Sequence, residues 1–257
     1  MTPYAVTFSI GFSGHFSRCT LAVIQDFGGS TGSLPVALRT KMVLTFVALG
    51  ASIGLLGAVS PRPSFSVMLA PAGDARMTGR IIDKNFERWI AWEYVRAVKE
   101  RLEREVPGVS VTLSRGPGEV VEPLQCANFA NRLHVDLFMS INFYPEVGAR
   151  PQCTFYQFSC GDDFVNLSNE LAFHPFDRAH LINRNRTTAL AAQMRSCFAR
   201  DEHAQQFGVS GLYKLPFAPL IGVVSPAVGI EMSVKSADGW RAYVEPLVVS
   251  VKLLMHG

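Results

Sequence analysis

The sequence predicts an α/β domain over residues 64–257: a mostly parallel, twisted sheet with helices on both faces. Three observations carry that prediction. Strand-like and helix-like segments alternate along the chain. The strand-like runs are apolar at nearly every position, the pattern of strands buried on both sides. The whole chain of 257 residues is 48% apolar and 18% charged, enough to build a sizeable core and too apolar for a disordered chain.

In order, Phe65 to Leu69 reads as a buried strand. Asp83 to Glu105 reads as an amphipathic helix, with Phe86, Ile90, Tyr94, Val98 and Leu102 recurring near the helical period, and Pro107-Gly108 stops it. Val109 to Leu113 is a strand and Leu124 to Leu133 a short helix. Asp136 to Phe143 and Cys153 to Phe158 are strands. Thr187 to Arg200 is a helix with Leu190, Met194, Cys197 and Phe198 on one face. Ala227 to Val234 is a strand, and Trp240 to Leu254 a closing helix with Pro246 near its start. Residues 160–184 form a polar, irregular insertion containing His174 and His180, of the length that in compact domains is functional or mobile.

Ahead of the domain, Val43 to Val59 holds 17 residues without a charge, preceded by Arg39 and Lys41 and ended by Ser60-Pro61-Arg62-Pro63. Its length falls between a signal-peptide core and a membrane-spanning helix, so residues 42–63 read as a signal peptide or a signal anchor. A buried core helix is the plain alternative. Basic residues on its N-terminal side place the C-terminal bulk outside the cytoplasm. Residues 1–41, rich in Ser, Gly and Phe, show no sustained periodicity and are expected to be a poorly ordered extension, with Met42 a rival start.

Charge excludes one class of partner. The balance is 24 basic against 21 acidic residues, or +3, with no run of one sign, which argues against nucleic-acid binding. The five cysteines show no CxxC or CxxxC spacing, which excludes zinc-finger and thioredoxin-type motifs. Beyond the leader, Cys126, Cys153, Cys160 and Cys197 permit three pairings. Cys153 and Cys160 bracket a strand and so stand roughly 20 Å apart at about 3.3 Å per residue, beyond disulfide reach. Cys197 reads as a small core residue.

Five blocks, in order, resemble the zinc-dependent N-acetylmuramoyl-L-alanine amidases. Met68-Leu69-Ala70-Pro71-Ala72-Gly73-Asp74 is similar to that family's first strand and its Leu-Asp-Pro-Gly-His-Gly turn. Asp83-Lys84-Asn85-Phe86 resembles its Glu-Lys-Asn-Leu helix opening. Val111-Thr112-Leu113-Ser114-Arg115 resembles its Val-x-Leu-Thr-Arg strand end. Ala130-Asn131 and Asp136 to Asn142 are similar to its Ala-Asn…Ala-Asp-Leu-Phe-Ile-Ser-Ile-His. Ser225-Pro226-Ala227-Val228-Gly229-Ile230-Glu231 resembles its Pro-Ala-Val-Leu-Val-Glu.

The resemblance implies a catalytic zinc held by two histidines and a glutamate, with a further glutamate activating the bound water. Carried across, the first histidine falls on Gly73, the ligand glutamate on Asp83 and the second histidine on Asn142. The water-activating glutamate is retained as Glu231. The family's arginine in its Val-Leu-Arg segment falls on Ile221. Three protein ligands are the rule for catalytic zinc, so the expectation is a degenerate amidase that binds no zinc. Asp74, one place beyond the lost histidine, is a candidate substitute ligand, and Asp74, Asp83, Asn142 and Glu231 together would be an oxygen-rich set for a harder cation. His174 or His180 would be a further donor. The plain readings are a turn residue for Asp74, a helix N-cap for Asp83 and solvent exposure for the histidines. Glu231 is expected at the carboxyl end of a strand facing a cleft, with Arg115 as an ion-pair candidate for it or for another acid.

Three functions follow as expectations. The first is an envelope protein, membrane-anchored or secreted, that binds peptidoglycan or a remodelling partner without cleaving it. The second is an active divergent amidase with a rearranged metal site. The third is a structural envelope protein using the fold as an interaction surface.

Overall fold

The computed structural model describes residues 7–12, 15–20, 64–161 and 175–256. The apolar stretch 43–59 and His174 lie outside them, and no helix among the described residues is long and apolar enough to cross a membrane. The chain divides into two units, Met1–Ser60 and Pro61–Gly257. In the first, β1 (Thr7–Phe12) and β2 (His15–Thr20) pair antiparallel, within the stretch where the sequence shows no periodicity.

The second unit follows the predicted alternation. β3 is Phe65–Pro71, and a two-residue pair, β4 (Ile81–Ile82) and β5 (Asn85–Phe86), leads into α1 (Glu87–Glu105). β6 (Val109–Leu113), α2 (Pro123–Leu133), β7 (Leu137–Pro145) and β8 (Gln152–Phe158) come next. Then follow α3 (Arg184–Phe198), β9 (Gly208–Leu215), β10 (Ala227–Val234) and α4 (Val244–His256). The six-stranded sheet has the order β6-β3-β7-β10-β8-β9. Every neighbouring pair is parallel except β10 with β8.

Both faces carry helices because successive strand residues point to opposite sides. Val67 and Leu69, Ile141 and Phe143, and Ile230 and Met232 join the larger core, against residues such as Tyr94 of α1, Phe198 of α3 and Leu247 of α4. Met68, Ala70 and Phe138 face the other way, onto Cys126, Ala127 and Ala130 of α2. The near-continuous apolarity of the strands is thus two cores read in alternation.

The differences from the sequence reading that matter most concern α1, β9 and the closing helix. α1 begins at Glu87, not Asp83, because Asp83 and Lys84 take positive φ (46° and 65°) in the turn joining β4 to β5. Positive φ at both central residues suits a tight hairpin and is incompatible with a helix. Asp83 is therefore a turn residue and not a helix cap. β9 was not predicted; it is an edge strand, and its two glycines and exposed Ser210, Tyr213 and Lys214 give no apolar periodicity. The closing helix starts after a 3₁₀ turn, Gly239–Tyr243, which leaves Pro246 in the first turn, where its missing N–H costs no helical bond. Cys126, Cys153 and Cys197 are buried free thiols, Cys197 on α3.

Candidate functional site

Open α/β sheets place their ligands beyond the carboxyl ends of the strands. Here Gly73 follows β3, and Asn142 and Glu231 lie in the carboxyl halves of β7 and β10. The loop after β3 turns at Gly73 with φ 69°, and a Cβ built there would stand 2.8 Å from Arg88 Cβ and 2.9 Å from the Met77 carbonyl oxygen. No side chain fits that position unless the backbone shifts. Asp74, buried, folds its carboxylate onto its own loop, accepting from the amides of Arg76 (2.8 Å) and Met77 (2.5 Å). The Met77 amide in particular holds this carboxyl below the usual aspartate range.

Asn142 and Glu231 are direct neighbours across the parallel β7–β10 pair, on one face of the sheet. Asn142 Nδ2 donates to Ser140 Oγ at 3.1 Å. Glu231 is engaged at both oxygens: Arg80 Nη1 reaches Oε1 at 2.8 Å and the Tyr156 hydroxyl donates to Oε2 at 2.9 Å. Burial, and then the negative charge of Glu231, pushes the Tyr156 phenol far up, so it stays a proton donor. Arg80 also donates to the Phe143 carbonyl oxygen (3.0 Å) and lies 5.7 Å from the centre of the Tyr144 ring.

Two residues of this arrangement escaped the sequence reading. Glu87 is a buried carboxylate whose Oε1 accepts from the Phe143 amide (2.9 Å) and whose Oε2 accepts from the Arg80 amide (3.1 Å). It ties the start of α1 to the end of β7 and holds the loop that presents Arg80. Its signal was available: Glu87 lies three residues before Ile90 and seven before Tyr94, on the apolar stripe. Arg80 had no comparable signal, since its partner lies 151 residues away.

The sequence-predicted residues divide between two openings. Gly73, Asp74, Arg115 and Asn142, with Ser114 and Ser140, line a cavity of about 400 Å³. Glu231 lies in a separate opening with Arg80, Tyr144 and Pro145. Asp83 lines neither; its Oδ2 accepts from the Ala237 amide at 3.4 Å, on the loop after β10. The expected Arg115 ion pair is replaced by bonds from its guanidinium to backbone carbonyls of Ala72 and Gly116, because Arg80 already holds Glu231. His180 is not solvent-exposed as read, since its ring packs edge-on against Phe158 at 4.9 Å. Ile221 packs beside the apolar cluster under α2. Among the described residues no three His, Cys, Asp or Glu side chains are grouped to hold a metal ion.

No protein-family model matches the chain, and no curated protein matches it in sequence. Solved structures do. The catalytic domain of CwlV, an N-acetylmuramoyl-L-alanine amidase from Bacillus (Paenibacillus) polymyxa var. colistinus, superposes with a TM-score of 0.56 at 16% identity, over 75% of this chain and 98% of that one. The amidase AmiC2 of Nostoc punctiforme gives 0.57 at 14%, over 76% and 98%. The amidase Ami1 of Mycobacterium abscessus, in its apo form, gives 0.55 at 15%, over 75% and 99%. Likeness at such low identity is a likeness of architecture, and about three quarters of this chain has the fold of N-acetylmuramoyl-L-alanine amidase catalytic domains.

Proposed function

We propose that this chain is a cell-envelope protein of amidase fold that binds peptidoglycan, or a partner in its remodelling, without hydrolysing it. In this reading the 42–63 segment carries the domain out of the cytoplasm and either anchors or releases it. The observation that carries the reading is the state of Glu231. A carboxylate that activates a metal-bound water must be aimed at that water, and Glu231 is instead directed to a guanidinium at one oxygen and a phenol at the other, in an opening separate from the one that Gly73 and Asn142 line. The remaining donors do not fit zinc. Gly73 has no room for a side chain, Asp74 is turned onto its own loop, Asp83 is on another loop, and Asn142 offers a neutral amide. Without a metal, water keeps its bulk pKa near 15.7 rather than about 7.

The fold is nevertheless intact around a cavity of about 400 Å³, within the size range of small-molecule sites. Incubating the purified protein with muropeptides over a range of added zinc tests the reading. No stem peptide is released, and the protein is retained on insoluble cell wall. Release of peptide overturns the non-hydrolytic reading in favour of a divergent active amidase. A complete wash-through overturns peptidoglycan binding and leaves a surface for protein partners.

A further inference from the structure

We propose a second binding site, an oxyanion cleft formed by Arg88 and Arg115 between Trp89 and Trp92, for a ligand that presents a carboxylate or phosphate group. The cleft adjoins the larger cavity, has a volume of about 110 Å³, and is completed by Asp74 and the Pro117-Gly118 turn. At ~30 Å³ per water it holds one functional group and not a whole ligand.

The cleft is built on a buried guanidinium that forms no ion pair among the described residues. Arg115 is only 7% exposed, yet no carboxylate lies within ion-pair distance of it among the described residues. Its Nη1 and Nη2 donate to the carbonyl oxygens of Gly116 (3.3 Å) and Ala72 (3.1 Å), and its Nε, sealed from solvent, has no acceptor. Arg88 likewise donates through Nη1 to the carbonyls of Asp74 (3.2 Å) and Ala75 (3.3 Å) and has no acidic partner among the described residues. The acids closest to Arg115 are engaged elsewhere: Asp74 with the amides of Arg76 and Met77, Glu119 with the amide of Gly116. Burial depresses the Arg115 guanidinium below the ordinary arginine range, Asp74 opposes this, and Arg88 adds repulsion.

Two guanidinium groups sharing one cleft repel each other, and the cost falls when an anion sits between them. Planar forks of this kind match the oxygens of carboxylates and phosphates. The aromatic walls supply the rest of a recognition site. Arg115 lies 6.0 Å from the Trp92 ring centre, and Trp89, 53% exposed, also lines the cleft, giving it apolar surface for the organic part of the ligand. The site stands independently of what the larger cavity holds.

Intrinsic fluorescence of the full chain reads the cleft directly, since two of its three tryptophans line it. N-acetylglutamate, its uncharged diamide and inorganic phosphate serve as probes. One anion or both produce a saturable change, which identifies the carboxylate or the phosphoryl source, and the diamide produces none. Arg88→Gln weakens that binding about tenfold or more, as loss of a charge-assisted bond requires. Arg115→Lys is the second variant, and Arg88→Gln, on a half-buried residue, keeps the test valid should Arg115→Lys misfold. Absence of saturation by either anion in the folded protein overturns the proposal, as does an affinity that Arg88→Gln leaves unchanged.

Discussion

On one face of the sheet, α1, α3 and α4 close over Tyr94, Phe143, Phe155 and Phe198, each almost wholly shielded from water. On the other, α2 packs onto Met68, Ala70 and Phe138, and toward the carboxyl ends the same strand faces carry Ser140, Asn142, Thr154, Tyr156 and Glu231. Both faces come from the same strands, read at alternate positions. The first is filled by apolar packing. The second runs from a smaller core into a polar cleft whose groups are held by long-range hydrogen bonds. Apolar burial is concentrated on the first face.

Truncating Phe143 to alanine breaks the packed face hardest. It removes the ring that meets Tyr94 edge-on at 5.4 Å between centres and leaves a cavity, so unfolding free energy drops by about 3–5 kcal/mol. A shifted urea midpoint at constant slope measures it. A loss below about 1 kcal/mol would show that this core relaxes freely and is not the tightly packed side of the sheet.

Glu87 joins the two faces, so its replacement sharpens the comparison. Glu87→Ala leaves the buried Phe143 amide and the Arg80 amide without their acceptor, at a cost of about 1–3 kcal/mol. Glu87→Gln retains one carbonyl acceptor and loses less. Urea unfolding of both variants beside the wild type reads the difference, and equal losses in Glu87→Ala and Glu87→Gln would deny the carboxylate this linking role.

The smallest effect is acid lability. Glu105, flanked by Arg101 and Lys252, titrates at about 2 instead of 4.5, and Asp74 is also lowered, chiefly by the Met77 amide. A folded value below the unfolded one means that the unfolded chain binds more protons in this range. The stabilisation is complete above the ordinary carboxylate range and is lost as pH falls from 4.5 toward about 2 for Glu105. Melting temperatures over that range fall less steeply in Asp74→Asn than in the wild type. Identical slopes would remove Asp74 from the acid response.

Much of this was legible along the chain. β10 has the bounds that its apolar run predicted, and the helix faces carrying Ile90, Tyr94 and Met194 are buried as their spacing required. Local periodicity reports burial, because a side chain's direction follows from its position in a regular element. The likeness of Asp83-Lys84-Asn85-Phe86 to a helix opening misled, since a motif carries no dihedral angles and this one folds as a turn. Arg80, the partner of Glu231, was invisible for a different reason: nothing local requires an arginine there.

By itself the sequence determined the main alternation of strands and helices, apart from β9 and the β4–β5 hairpin, and the burial of the central strands on both sides. The tertiary structure alone decided that Arg80 and not Arg115 meets Glu231, that Asp83 lies away from Asn142, and that Arg88 and Arg115 share a cleft. The first set follows from covalent periodicity, which every short segment carries. The second depends on where loops separated by many residues come to rest, and that is set only when the whole core has packed.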